Sequence, residues 1–300
     1  MKRVLLACTG LMVLTLGGCS SSTATKAPKP DQPYEDAMDT GKSVYGIGQA
    51  TQAEAQYRTA MDRALMRDDA GAIHEAGFNL ATVLLAEDEP QKALQSLRET
   101  EAALSLRNFS DTSDLAVIRA AALYRLYDTV FASQAVGRAL QSSDMGIRER
   151  ALYLSGLIAA DLRQDTVLAQ RVNDLTIFHE TSATVDRQEL VARLNLLRGQ
   201  PELAYSAALS VVKSRRDVLD YRGMRRALAL AADAAEGSGH QPQAMALRQQ
   251  EKISEQMAAK QAGDNGSTPK DASAETQEPG KVTVQVRGTP ADQSGVGATD

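Results

Sequence analysis

The chain has 300 residues, a formal net charge of −5 and an aromatic content of only 4%, with no tryptophan. Alanine, leucine, glutamine, arginine and glutamate are abundant, a composition that favours helices over strands. Since the chain is mildly acidic and nucleic-acid binding needs a concentrated basic surface, it is a poor candidate for a nucleic-acid-binding protein.

Residues 1–18 have the build of a secretory signal peptide. The basic start Met1–Arg3 precedes the apolar run Val4–Leu16, which is too short to span a membrane. The run ends in Leu16-Gly17-Gly18-Cys19, and serines follow. This ending resembles the lipobox of bacterial lipoproteins, where a peptidase cleaves the chain immediately before the cysteine.

The lipobox resemblance implies that Cys19 carries acyl chains and anchors the mature protein to a membrane. Two or more acyl chains hold a protein durably. Ser20 follows the cysteine, and this resembles the signal for the outer membrane of Gram-negative bacteria, with the domain facing the periplasm. The alternative is an ordinary secretory signal with a chance cysteine. Because Cys8 lies in the signal, the mature domain has no thiol for disulfides or zinc.

Two polar segments flank the predicted folded region, 34–259. Residues 19–33 are rich in serine and proline and predict a flexible tether behind the lipid. Residues 260–300 hold almost no large apolar side chain and predict a disordered tail. Within the tail, KVTVQVR at 281–287 alternates like a short strand that would add to the edge of a partner's sheet. The alternative is chance alternation.

Small residues recur along 34–259 with a regular spacing. In six places a small residue stands twelve positions before a second small or apolar residue. The six pairs are Gly41/Ala53, Ala81/Ala93, Ala120/Ala132, Gly156/Leu168, Ala192/Ala204 and Ala232/Ala244. Such pairs would let two antiparallel helices cross closely. Pro90, Pro201 and Pro242 suit the first turn of a second helix, which places the connecting turn between the paired residues.

The spacing resembles the tetratricopeptide repeat (TPR), a helix–turn–helix unit of 34 residues. The resemblance implies an all-α fold, a right-handed α-solenoid of about six TPR-like units with a disordered C-terminal tail. The aligned units are 34–67, 74–107, 113–146, 149–182, 185–218 and 225–258. The last unit has Arg248 and Glu251 at apolar positions, as a terminal repeat should. The alternative is an unrelated helical bundle with alanine-rich contacts.

Motifs for catalysis are missing from the sequence. It lacks the nucleotide-binding, zinc-protease and dithiol signatures. His74, His179 and His240 fall in different units, and units several repeats apart in a solenoid are not expected to meet. We therefore predict a protein that is not an enzyme, with no metal, no cofactor and no small-molecule substrate. A catalytic site assembled from distant positions is the open alternative.

A cluster of basic residues straddles the joint between the fifth and sixth units. Two interpretations are open: a patch that binds lipid headgroups or an acidic peptide, or a solvated loop with charges at helix ends. The cluster comprises Lys213, Arg215, Arg216, Arg222, Arg225 and Arg226.

Proteins similar to TPR arrays mostly bind peptides or helices in a concave groove lined by the first helix of each unit. In this chain the aligned groove positions hold aromatic residues and arginines, which commonly anchor interfaces. They are Tyr45, Phe78, Tyr124, Arg125, Arg150, Tyr153 and Arg193.

The combined resemblances imply a membrane-anchored periplasmic scaffold or adaptor that binds envelope proteins. Similar lipoproteins include pilotins for pilus secretins, a component of the barrel-assembly machine and adaptors for peptidoglycan hydrolases. One alternative is a fixed structural subunit of an envelope complex, held by its tail or convex face. An enzyme is the least favoured alternative.

Overall fold

The structure is a computed structural model that describes residues 30–266 of the chain. Over this range the backbone forms twelve α-helices and no strand. The helices are α1 Gln32–Gly46, α2 Ala50–Met66, α3 Ala70–Ala86, α4 Pro90–Ser105, α5 Ser113–Arg125, α6 Thr129–Ala139, α7 Met145–Asp161, α8 Asp165–Asp174, α9 Thr181–Leu197, α10 Pro201–Asp217, α11 Tyr221–Gly237 and α12 Gln241–Gly266. A short 3-10 turn, Leu175–Ile177, follows α8. Cys19, the signal peptide and the strand predicted at 281–287 lie outside the described residues.

The twelve helices form six consecutive pairs, which we number as units 1 to 6. The first helix of each pair begins at the predicted start of a repeat or up to four residues before it. The prediction of an all-α solenoid of about six helix–turn–helix units is therefore confirmed.

Both ends of the helical region extend beyond the sequence-predicted limits of 34 and 259. Helix α1 begins at Gln32 because the Asp31 side chain accepts a hydrogen bond from the Tyr34 backbone at 3.3 Å. Arg63 holds the same carboxylate at 2.9 Å. Helix α12 continues to Gly266 and passes through Gly263, although glycine disfavours a helix interior.

In all six units, the residue at one equivalent position of the turn between the two helices has a left-handed backbone conformation. The residues and their φ angles are Gly48 (80°), Asp88 (64°), Tyr127 (60°), Arg163 (57°), Gly199 (72°) and Gly239 (77°). The next backbone N–H donates to the carbonyl five residues earlier, as from Gln49 to Val44 at 2.9 Å, which closes the helix end. At the three positions without glycine this conformation costs roughly 1–2 kcal/mol.

Close contact between paired helices follows from the small residues that the repeat predicted. All twelve residues of the six pairs are buried. At Gly41 an added Cβ would lie 2.7 Å from Cε1 of Tyr57, so even alanine would not fit without movement. The small side chains at these positions therefore set how closely the two helices of a unit approach.

The hydrophobic core runs along the length of the solenoid. Each second helix from α2 to α10 packs between the first helix of its own unit and the first helix of the next unit. First helices also contact each other from α3 to α11. On the last helix the exposed Arg248 binds Asp233 at 3.0 Å and Glu236 at 2.8 Å, both on α11. That arrangement suits a terminal repeat.

The solenoid curves far enough for unit 6 to meet unit 2. Arg222 at the start of α11 donates to Asp88 in the turn between α3 and α4, with Nη1 and Oδ1 2.8 Å apart. The expectation that units several repeats apart do not meet is wrong here. Each unit is rotated relative to the one before it, and the rotations add up along the chain.

Candidate functional site

The face lined by the first helices contains two adjoining cavities, which we call the small and the large chamber. The small chamber has a volume of about 380 Å³ and is lined mainly by α1, α3, α5 and α7. The large chamber has a volume of about 600 Å³ and is lined mainly by α5, α7, α9 and α11. The two share lining residues, so they form one groove. The shared residues are Val117, Ala121, Arg125, Arg150 and Arg222.

All seven residues predicted to face the groove line these chambers. Tyr45 and Phe78 line the small chamber, and Arg125 and Arg150 line both. The large chamber takes the other three, Tyr124, Tyr153 and Arg193. The fold thus brings together side chains from units 1 to 5. Their role in binding a partner stays a prediction.

The small chamber has an apolar floor because apolar residues recur at helical spacing on α3 and α5. Phe78 and Leu85 are seven residues apart on α3, and Val117 and Ile118 lie on the facing side of α5. Ile147 closes the floor from α7. Charged side chains, among them Arg125 and Arg150, also line this chamber. Such a lining suits an apolar side chain of a bound peptide.

A buried polar network stands behind the large chamber, around the fully buried Glu189. Arg226 Nε donates to Glu189 Oε1 at 2.6 Å, and the Tyr153 hydroxyl donates to Oε2 at 2.7 Å. Arg226 also donates to the Tyr153 hydroxyl at 2.6 Å. Both oxygens of the carboxylate are therefore paired, as burial of a charge requires.

Arg215 extends this network to a further helix. Its Nη2 donates to Glu189 at 3.3 Å and to Asp186, and its Nη1 donates to Asp220 at 3.2 Å. The guanidinium groups of Arg215 and Arg226 each lie 5.8 Å from the centre of the Tyr153 ring, a cation–π distance. The network therefore ties α7, α9, α10 and α11 together.

The network fixes the charge state of its members. Burial alone would raise the pKa of Glu189, but the Arg226 guanidinium and its hydrogen bond outweigh burial and lower that pKa to about 2. Burial raises the pKa of Tyr153 well above its ordinary value. At neutral pH Glu189 is therefore ionised and Tyr153 remains a hydrogen-bond donor.

Sequence reasoning missed Glu189 and gave Tyr153 an incomplete role. A signal for Glu189 was present, because it stands between Val185 and Ala192 at the spacing of a buried helix face. A charge on such a face needs partners of opposite charge. Tyr153 lines the groove, but its hydroxyl belongs to the network, so its removal would disturb the fold.

The basic cluster of the fifth and sixth units is not a single surface. Arg215 and Arg226 belong to the buried network, and Arg222 pairs with Asp88 across the groove. Lys213 and Arg216 are exposed. Neither sequence interpretation describes all of these positions, because helix packing separates residues that are neighbours in the sequence.

Two arginines at the junction of the chambers stand apart from the ion pairs. Arg125 is half-buried and donates to the backbone carbonyl of Leu85. Burial, followed by the nearby Arg222 charge, lowers the pKa of Arg125 to about 10. Arg150 is exposed. Among residues 30–260, for which side-chain burial is described, neither arginine forms an ion pair with a carboxylate.

Histidines and candidate metal ligands do not gather in the described part of the chain. His74 Nε2 lies 2.9 Å from Asp114 Oδ1, and the His240 ring lies 6.4 Å from the Tyr205 ring. Where side chains are described, residues 30–260, no three His, Cys, Asp or Glu residues are placed to hold a metal ion. Over the same range no helix combines the length and the apolar character needed to cross a membrane.

Comparison with known proteins identifies the fold. No protein-family model and no curated protein matches the chain. A crystal structure of a tetratricopeptide repeat protein from Parabacteroides merdae is 22% identical and has a TM-score of 0.50, over 79% of this chain and 94% of that one. The type IV pilus biogenesis factor PilW is 18% identical with a TM-score of 0.52, over 74% and 93%. The protein thus has a TPR-like helical-repeat fold.

Proposed function

We propose that the protein is a scaffold or adaptor that binds a segment of another protein in the groove of its first helices. The main support for this proposal is that seven aromatic and arginine side chains from five units line two adjoining chambers. Residues of these types dominate the binding energy of protein interfaces. The proposed activity is binding, with no catalytic step and no cofactor.

We further propose that the protein is a lipoprotein of the outer membrane and faces the periplasm. The lipobox-like sequence before Cys19 and the Ser20 that follows it support this location. Twelve residues separate Cys19 from the first helix. Fully extended, they reach about 40 Å, so the groove would stay near the membrane surface.

The partner is then a protein of the cell envelope. PilW, which shares the fold, is a type IV pilus biogenesis factor, and this makes pilus assembly one pathway in which to seek the partner. Barrel assembly and the recruitment of peptidoglycan hydrolases are the other candidates. A fixed structural role through the tail or the convex face is the competing arrangement.

Capture of the partner tests the groove. The full chain would be purified in mild detergent from its own membranes as wild type, Tyr45→Ala/Phe78→Ala and Phe131→Ala. Phe131 is an exposed aromatic on a second helix and serves as the matched control. We expect wild type and control to retain a stoichiometric partner that the groove variant loses.

A second groove variant tests whether the first one loses its partner only because it is misfolded. Ala121 borders both chambers, so Ala121→Phe would fill their junction without removing an existing contact. Circular dichroism and thermal melting would show that each variant keeps its helices. Retention of the partner by both groove variants would contradict the proposal. If the partner is lost only when residues 267–300 are deleted, the fixed structural role is favoured instead.

A further inference from the structure

The groove carries positive charge that its own carboxylates do not neutralise. Five arginines line it: Arg125, Arg150, Arg193, Arg222 and Arg226. Three of them, Arg193, Arg222 and Arg226, have a carboxylate within 3.5 Å. The other two have none among residues 30–260. Four aspartates, Asp88, Asp114, Asp161 and Asp220, line the same chambers, so the arginines exceed the carboxylates by one.

The acidic residues that line the groove have other partners. Asp114 lies 2.9 Å from the His74 ring nitrogen. Asp220 accepts from Arg215 at 3.2 Å and caps α11 through the Gly223 backbone at 2.8 Å. Asp161 accepts from Arg193 at 3.5 Å. Asp88 pairs with Arg222 and favours the charged form of Arg125 from a longer distance. None of the four carboxylates forms an ion pair with Arg125 or Arg150.

We propose that the occupant of the groove is an acidic peptide segment of the partner protein, bound by Arg125 and Arg150 through its carboxylates. This inference rests on the proposed use of the groove. Both arginines border both chambers, so a segment that passes from one chamber to the other meets both. Its apolar side chains occupy the floor formed by Phe78 and Val117.

The environment of Arg125 suits strong binding of a carboxylate. Its guanidinium is half-buried and held by the hydrogen bond to Leu85. Hydrogen bonds between charged groups are stronger when water is partly excluded, and a fixed guanidinium loses little freedom on binding. Arg150, which is exposed, would attract the acidic segment before it enters.

The ion pair between Arg222 and Asp88 offers a third position for binding a carboxylate of the segment. Asp88 is 67% exposed and Arg222 is 36% exposed, so the pair contributes little stability by itself. A carboxylate of the bound segment replaces Asp88 on Arg222.

Fluorescence anisotropy with two labelled probe peptides tests the inference. One peptide alternates pairs of glutamate with single leucines, and the other has glutamine at every glutamate position. We expect the full chain to bind the acidic peptide at least about tenfold more tightly at low salt. The difference should shrink as salt shortens the range of electrostatic attraction.

Arginine variants identify where the acidic peptide binds. Arg125→Gln and Arg150→Gln should each weaken it about tenfold and leave the glutamine peptide unchanged. Arg98→Gln removes an exposed arginine of α4 outside both chambers and should change neither. Thermal melting of each variant excludes loss of folding as the cause.

Three results would overturn the acidic occupant. The first is equal affinity for the two peptides, and the second is no binding of the acidic peptide at up to about 1 mM. The third is binding to vesicles of phosphatidylglycerol that needs Arg125 and Arg150 while the peptide does not bind. Capture with Tyr45→Ala/Phe78→Ala decides separately whether the groove binds a protein, so the two failures are distinguishable.

Discussion

Glu189 is the residue on which the C-terminal half of the groove depends. It is fully buried and accepts hydrogen bonds from Tyr153, Arg215 and Arg226, which lie on three different helices. Removing one member of a buried ion pair leaves the other as an uncompensated charge, and for Glu189 that other member is Arg226. A single carboxylate therefore sets the relative positions of α7, α9, α10 and α11.

We expect Glu189→Gln to lower the free energy of unfolding at pH 7 by about 3 kcal/mol, since Arg226 loses its counterion while Arg215 keeps Asp186 and Asp220. Glu202→Gln is the matched control, because Glu202 is exposed in the first turn of α10. It should change stability by less than about 0.5 kcal/mol. Urea unfolding followed by circular dichroism measures both, and equal effects would contradict the role of Glu189.

The stability difference between wild type and Glu189→Gln should also depend on pH. The pKa of Glu189 is lowered from an ordinary 4.5 to about 2 in the folded protein. A carboxyl with a lowered pKa stabilises the fold above its unfolded pKa, and this stability is lost as the pH falls towards the folded value. The difference between wild type and Glu189→Gln should therefore shrink between these two pKa values. A constant difference would show that Glu189 does not titrate as described.

At the residue scale, the sequence predicts which side chains face the groove but not which are free to bind. Tyr45 and Arg125 could be placed because the first helix of a repeat has one inward face. The engagement of Tyr153 with Glu189 and Arg226 could not, since these residues are 36 and 73 positions from it. Pairing over such separations depends on how successive units pack.

At the element scale, the distance between paired helices depends on glycines without room for a side chain. At Gly77 on α3 an added Cβ would overlap the side chain of Thr100 on α4 and lie 2.9 Å from its Cβ. Thr100 is fully buried, and its hydroxyl donates to the Ser96 carbonyl at 2.8 Å. Neither partner can move without shifting a helix.

Gly77→Ala should destabilise the protein by about 1–3 kcal/mol, because the two helices must separate. Gly137 on α6 has no atom within 4 Å of an added Cβ, and it is the matched control. Gly137→Ala should stabilise by about 0.5–1 kcal/mol, since alanine favours a helix interior. Thermal unfolding measures the stability of both variants. A change of stability with the same sign in both would contradict the tight contact between Gly77 and Thr100.

The elements themselves could be predicted because their signals are local. A pair such as Ala81 and Ala93 fixes two helices and the turn between them within a single stretch of chain. The left-handed turns at Tyr127 and Arg163 lack glycine, and only the spacing of the neighbouring units located them. The extension of α12 to Gly266 has no such marker, because it lies beyond the last residue pair of the repeat, Ala232 and Ala244.

At the scale of the whole molecule, the contact between Arg222 and Asp88 closes the groove between units 2 and 6. The sequence could not predict it, because it depends on a small rotation repeated at four successive junctions. Small errors in each rotation would move the two residues apart. The pair is exposed, so we assign it to the curvature of the solenoid rather than to stability.

Asp88→Asn should therefore change the free energy of unfolding by less than about 1 kcal/mol while loosening the closure. Electron–electron spin distances would be measured between labels at Gln91→Cys and Val218→Cys, with Cys8 and Cys19 replaced by serine. We expect a longer and broader distribution than in wild type. Asp165→Asn breaks another exposed pair, with Arg198, and should leave the distribution unchanged.

The closure also makes the number of repeats a fixed property of this protein. An open solenoid can gain or lose a unit by duplication or deletion in its gene, since each unit touches only its neighbours. Here one unit more or less between units 2 and 6 would displace α11 by a whole repeat and leave Arg222 opposite a different turn. Natural relatives that keep this groove should therefore vary in repeat number only beyond the two units that meet.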